Sequence, residues 1–187
     1  MIQQRIGLLV VLASLLLAHT SAAHTVTGPD VSTDRSGAGL ISFDLDINSF
    51  GTTIATVFTA GASGDTTFNA GFLNSTPGTW GSVTIELTDG ATFSALGDVT
   101  DGSSTFFSDI SGTATTATII FAPDQAATIG GVEIGDPLGL TSALNWTINR
   151  DAIPDLDFDI IVTVVPEPGT ALLMGLGLAA LAMRRRA

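Results

Sequence analysis

The sequence predicts an all-β fold: an antiparallel β-sandwich of immunoglobulin-like or jelly-roll type, flanked by an amino-terminal signal helix and a carboxyl-terminal transmembrane helix. Three observations lead there. Apolar and polar residues alternate with period two in several runs, turn residues recur between those runs, and no stretch away from the termini combines a helical period with caps. Period two with one polar face is the mark of a half-buried antiparallel strand.

Taken in order, the clearest run sets Ile41, Phe43, Leu45 and Ile47 against Ser42, Asp44, Asp46 and Asn48. Val83, Ile85 and Leu87 alternate in the same way with Thr84 and Glu86. So do Leu144, Trp146 and Ile148 with Asn145, Thr147 and Asn149. The last run sets Leu156, Phe158, Ile160, Val162 and Val164 against Asp155, Asp157 and Asp159. Shorter strands are expected over residues 53–59, 66–73, 91–96, 116–121 and 128–134. Gly61 to Asp65, Pro77-Gly78, Asp89-Gly90, Asp101-Gly102, Pro123-Asp124, Gly130-Gly131 and Asp136-Pro137 supply the turns between them. Asp89-Gly90, set between alternating runs, is the strongest hairpin signal.

The two ends have a different character. Residues 1–23 carry one early cation, Arg5, an apolar run from Ile6 to Ala18, and small residues Ser21 and Ala23 at the −3 and −1 positions of a signal cleavage site. Export with cleavage near Ala23 is expected, with a cut after Ala18 or Ala22 as the alternative, leaving residues 24–165 as one β domain and residues 166–187 as a tail. That tail runs from Pro166, Glu167 and Pro168 through an apolar stretch, Thr170 to Met183, to Arg184, Arg185 and Arg186. About fourteen residues make roughly 21 Å of helix, so the stretch spans a bilayer only by thinning it or by snorkelling of the arginines, which also hold the end in the cytoplasm. The proline pair disfavours helix upstream and predicts an extended, exposed junction open to a peptidase.

This order of tripeptide, apolar helix and arginine cluster resembles the PEP-CTERM sorting signal of Gram-negative bacteria, over Val165 to Ala187 only. The resemblance implies that the tail is substrate for an exosortase, a membrane-embedded enzyme similar to a cysteine transpeptidase. Pro166, Glu167 and Pro168 are then the recognition residues, with the arginines completing the signal. It further implies that the body passes to the cell surface, or to the exopolysaccharide matrix of a biofilm, after transient anchoring in the inner membrane.

Composition narrows the chemistry of the body. Residues 24–165 hold 17 acids against two cations, Arg35 and Arg150, a net charge of −15. Nucleic acid and anionic membrane surfaces are poor partners for such a surface. The chain has no cysteine, lysine or tyrosine, which removes disulfides, thiolate metal sites, Schiff-base chemistry and phenolic acid or base roles. His24 becomes the first residue after cleavage, inviting comparison with copper sites built on an N-terminal histidine, but such a site needs a second histidine and His19 leaves with the signal. The same shortage leaves no pair of histidines for a His-based zinc site.

Two binding readings remain. Asp44 and Asp46 on an early strand, and Asp155, Asp157 and Asp159 on the last, offer oxygen ligands for Ca²⁺ if those strands are neighbours. The Asp98 to Gly102 turn is a second acidic cluster. Trp80, just after the Pro77-Gly78 turn, is the candidate platform for a sugar, because Trp146 alternates with the inward set; with no tyrosine to support it, a place in the core or at its rim is the other reading of Trp80. The expectation is a non-enzymatic exported protein with a structural or adhesive role. A carbohydrate-binding module for matrix polysaccharide is the alternative, and a hydrolase using a carboxylate pair a remoter one.

Overall fold

The computed structural model describes residues 24–59, 64–101, 107, 109–121, 130–151 and 157–167, with isolated positions 169, 173, 175, 176 and 183 beyond them. The expected signal peptide with Ala23, and also Asp155, Pro168, Arg184, Arg185 and Arg186, lie outside the described residues. In chain order the strands are β1 (His24–Thr27), β2 (Val31–Asp34), β3 (Leu40–Ile47), β4 (Gly51–Thr59), β5 (Asp65–Asn74), β6 (Trp80–Leu87), β7 (Thr92–Ala95), β8 (Val99–Thr100), β9 (Ile110–Gly112), β10 (Thr116–Ile120), β11 (Val132–Ile134), β12 (Trp146–Asn149) and β13 (Phe158–Pro166). The described body is all-β, as the alternation predicts.

The strands form two sheets. One has the order β1-β4-β13-β6-β10-β9. The other runs β2-β3-β5-β11-β8, with β12 pairing the free half of β5 and carrying β7 on its far side. Side chains at alternate positions of both sheets enter one core, including Phe43, Leu45, Phe68 and Phe72 from the second sheet and Val83, Ile85, Ile160 and Val162 from the first. Burying such side chains contributes about 1.5–3 kcal/mol each before the cost of ordering the chain. Edge-to-face contacts fix the aromatic part: Trp146 meets Phe93 at 5.5 Å and 80°, and Phe68 at 6.3 Å and 72°.

The predicted pairing needs two corrections. All ladders are antiparallel except β3 with β5, which run parallel from Leu40 opposite Thr67 to Ile47 opposite Asn74. Parallel neighbours need a crossover, and β4 supplies it by crossing to the opposite sheet between them. A second correction concerns Asp89-Gly90. The tight turn forms, with positive φ at Asp89 (52°) and Gly90 (82°) and Ala91 N–H donating to Thr88 C=O at 3.0 Å. It is no hairpin, however, because β6 lies in the first sheet and β7 pairs β12 in the second. Leu144, expected to point inward, is 68% exposed and precedes β12; its N–H is taken by the Asp98 carboxylate at 2.7 Å in a loop.

The placement of Trp80 decides between its two readings. Strict alternation from Val83, Ile85 and Leu87 puts Trp80 on the outer face, yet Trp80 is 0% exposed. Against β13 the register slips: Val165 faces Ser82 but Pro166 faces Trp80, leaving Gly81 unopposed. One extra residue in a strand reverses the facing of everything beyond it, so Trp80 turns into the core.

Glycines at two turns give a paired test of the backbone. At Gly131 (φ 97°) an added Cβ would lie 1.7 Å from the Phe72 carbonyl oxygen, whereas at Gly139 (φ 66°) it would meet nothing within 4 Å. Thermal unfolding of Gly131→Ala should show a midpoint lowered by roughly 8 °C or more, from strain plus a backbone collision that forces β11 off β5. Gly139→Ala should lose only roughly 3–6 °C, the cost of a left-handed non-glycine residue.

Candidate functional site

The junction between body and tail is built from the end of β13. From Ile160 to Val164 this strand has a neighbour on each side, β4 and β6; Val165 and Pro166 keep only β6. A proline is tolerated there because the missing N–H lies where the second ladder has ended. Glu167 then makes two bonds to one residue. Its N–H donates to the Thr79 carbonyl at 3.1 Å, and the Thr79 hydroxyl donates to its carboxylate at 2.8 Å. The chain passes close over Gly81, where an added Cβ would lie 3.0 Å from the Pro166 carbonyl oxygen and 3.1 Å from Glu167 Cα.

Beside this junction, Val165 and Ile120, each 46% exposed, flank Ser82 across three strands. They form part of a mainly apolar groove of about 510 Å³ that Phe121, Pro166, Glu167 and Gly169 also line. The junction is extended, as expected, but Pro166 and Glu167 are half-buried and tied to the sheet instead of hanging free. Of the tail beyond, Leu173, Leu176 and Met183 are exposed. No helix among the described residues is long and apolar enough to cross a membrane.

The aspartates proposed for calcium are not brought together. Asp44 and Asp46 stand on β3, between β2 and β5 in the second sheet, while Asp159 stands on β13 in the first and Asp157 just precedes it. Alternation shows which face a residue takes but not which strand lies beside it. Each carboxylate has its own partner: Asp44 takes both terminal nitrogens of Arg35 at 2.5 and 2.6 Å, and Asp46 accepts from the Ser75 hydroxyl at 2.5 Å. Asp159 accepts from the Thr56 hydroxyl at 2.7 Å, and Asp157 from the Thr59 N–H at 3.2 Å. Among the described residues no three His, Cys, Asp or Glu side chains are grouped as metal ligands would be. Trp80, enclosed in the core, presents no ring face to a sugar.

A different acidic feature emerges on the outer face of the second sheet. Asp44, Gly71 and Glu133 lie opposite one another across β3, β5 and β11. Because Gly71 has no side chain, the Asp44 carboxylate folds over it, 2.5 Å from where a Cβ would stand. The result is a groove of about 290 Å³ walled by Asp44, Glu133 and Asp101 with Leu73 and Leu138. Burial, then the neighbouring charges of Asp136 and Asp44, push the Glu133 carboxyl up, with Arg35 opposing and Asp101 adding. The Asp98 part of the predicted acidic turn is structural, its carboxylate holding the Leu144 N–H.

His24 is buried, 2% exposed, at the start of β1, and neither ring nitrogen has a hydrogen-bond partner. Burial first, and the charge of Arg150 second, hold its pKa below the ordinary histidine value. Arg150 is itself buried and lies 6.0 Å over the Phe158 ring. A neutral imidazole beside a guanidinium is a packing element and a poor place for a metal cation.

Residues 164–186 match the family model of the PEP-CTERM protein-sorting motif. No curated protein matches the chain in sequence. Among solved structures, a cupin-2 domain from Rhodospirillum rubrum aligns at 14% identity over 65% of each chain with a TM-score of 0.12, too low to bear on the fold.

Two titrations should leave opposite marks on stability. For Glu133 the folded pKa is raised, so its contribution is present below the unfolded carboxyl pKa and lost as pH rises through the folded value. Glu133→Gln should therefore raise the unfolding midpoint at pH 7, with the gain disappearing in acid. For His24 the folded pKa is lowered, so the unfolded chain takes up the proton first and stability falls as pH drops below about 6.5. A His24→Leu variant should lose that part of the slope in melts between pH 7.5 and 5.5.

Proposed function

We propose that this chain, whose carboxyl-terminal tail is a PEP-CTERM sorting motif, is an exported protein with a non-enzymatic, structural or adhesive role at the cell surface or in the exopolysaccharide matrix. The match of residues 164–186 carries the reading, since that motif is a substrate for exosortase recognition and implies export with membrane-associated sorting. The two-sheet body, read as a sandwich, is then the cargo.

The body's chemistry supports a passive role. It lacks cysteine, lysine and tyrosine, and its one histidine is buried and kept neutral. Its net charge of −15 over residues 24–165 keeps a surface protein hydrated and repels its own copies, and short edge strands such as β1 and β9 limit sheet-to-sheet pairing. With Trp80 in the core, the carbohydrate-binding alternative loses the residue on which it rested.

In native cells, replacing Pro166, Glu167 and Pro168 together by alanine should leave the protein in the membrane fraction at a higher mass than the processed parent. Fractionation followed by intact-mass measurement reads this directly. Equal mass and equal distribution for parent and variant would mean that the tail is a plain anchor.

A further inference from the structure

We propose that the Thr79–Gly81 segment is a latch that holds the sorting motif against the folded body and sets how fast the tail is processed. This rests on the reading of the tail as a processed sorting signal and assigns to the cargo domain a control that the motif itself does not contain.

Three observations converge on the latch. The ladder from β13 to β6 does not stop at the domain boundary but includes Pro166, the first residue of the tripeptide, opposite Trp80. Glu167, the second, is fastened through both its N–H and its carboxylate to Thr79. Gly81, by lacking a side chain, leaves the space in which the Pro166 carbonyl and the Glu167 backbone lie. The two sets of bonds occupy parts of the tripeptide that an enzyme would need to read, the backbone edge and the acidic side chain, and Gly81 lets the chain lie close enough to make them.

Peptide-recognising proteins commonly take an extended segment by pairing along its backbone edge and seating alternate side chains in pockets. Here that edge of Pro166 and Glu167 is already paired with the body, and the Glu167 carboxylate is already bonded. A membrane-embedded enzyme can therefore engage the motif only after residues 165–167 lift from β6. The opening is local. Past Val164 the strand has one neighbour instead of two, so its end can peel while the ladders to β4 and β6 behind it stay closed. When opening and closing are fast relative to cutting, the processing rate follows the open fraction, which the Thr79 bonds keep small.

The test is a pulse-chase of the full chain in its native cells, following conversion from the membrane form to the shorter product. Thr79→Val removes the hydroxyl donor while keeping the branched shape, and Gly81→Ala crowds the Pro166–Glu167 backbone from beneath. Thr79→Val should convert roughly threefold to tenfold faster than the parent, the effect of one hydrogen bond at a half-exposed site, and Gly81→Ala should also convert faster. Thr79→Ser keeps the donor and should convert at the parent rate. Amide hydrogen exchange on the full chain in detergent should show Glu167 protection falling in Thr79→Val while Ile160 in the middle of β13 stays protected. Parent-like or slower conversion in Thr79→Val overturns the latch, as does unchanged Glu167 protection. A parent whose tail is never cut removes the sorting reading and the latch together, an outcome distinct from equal cutting of parent and variant.

Discussion

A single unopposed glycine near the start of β6 fixes both the top of the core and the exit of the chain. By inserting one residue into the ladder with β13, Gly81 turns Trp80 inward, where it closes the core. By having no side chain, it also lets the end of β13 lie against β6, so that the strand continues into the sorting tripeptide without a linker. A β-bulge both re-aims a side chain and changes strand direction, and here one bulge does both for parts of the chain with separate purposes. Thr79, just outside the bulge, then has both its carbonyl and its hydroxyl aimed at Glu167.

The consequence is a body and a signal that share hydrogen bonds. A sorting motif on a free linker is read without reference to the cargo, whereas one stitched to its cargo responds to the cargo's local stability. β13 is the strand through which that coupling passes. Its inward residues Phe158, Ile160, Val162 and Val164 are core, its middle is clamped by β4 and β6, and its last residue belongs to the motif. Stability along it is graded, highest where two ladders hold it and lowest where one remains.

Much of the fold was legible because burial imposes period two. The inward faces of β3, β6 and β13 follow directly from Ile41 to Ile47, Val83 to Leu87 and Phe158 to Val164. β1, β2, β8 and β9 escaped because two to four residues are too few to display a period, and several of those present are polar. Whether Trp80 is a platform or a core residue stays open in the sequence because alternation presumes an unbroken register; Gly81 inside the strand is the available sign of a break. Asp89-Gly90 encodes a turn through its backbone angles, but whether the chain leaves that turn beside the strand it came from or crosses the core is decided by packing.

The sites divide in the same way. The tail was readable because its elements are contiguous, whereas the acidic groove was not, since Asp44, Gly71 and Glu133 come from three strands and meet only in the sheet. Likewise the aspartates of β3 and β13 share a pattern in sequence but stand in different sheets. The most direct measurement is the intact mass of the protein recovered from outside native cells. A mature chain starting at His24 and ending at or near the Pro166 to Pro168 tripeptide, without Arg184 to Arg186, is the predicted result. An exported chain that still carries the arginines would contradict the account, because the tail would then be an anchor and not a signal that is removed.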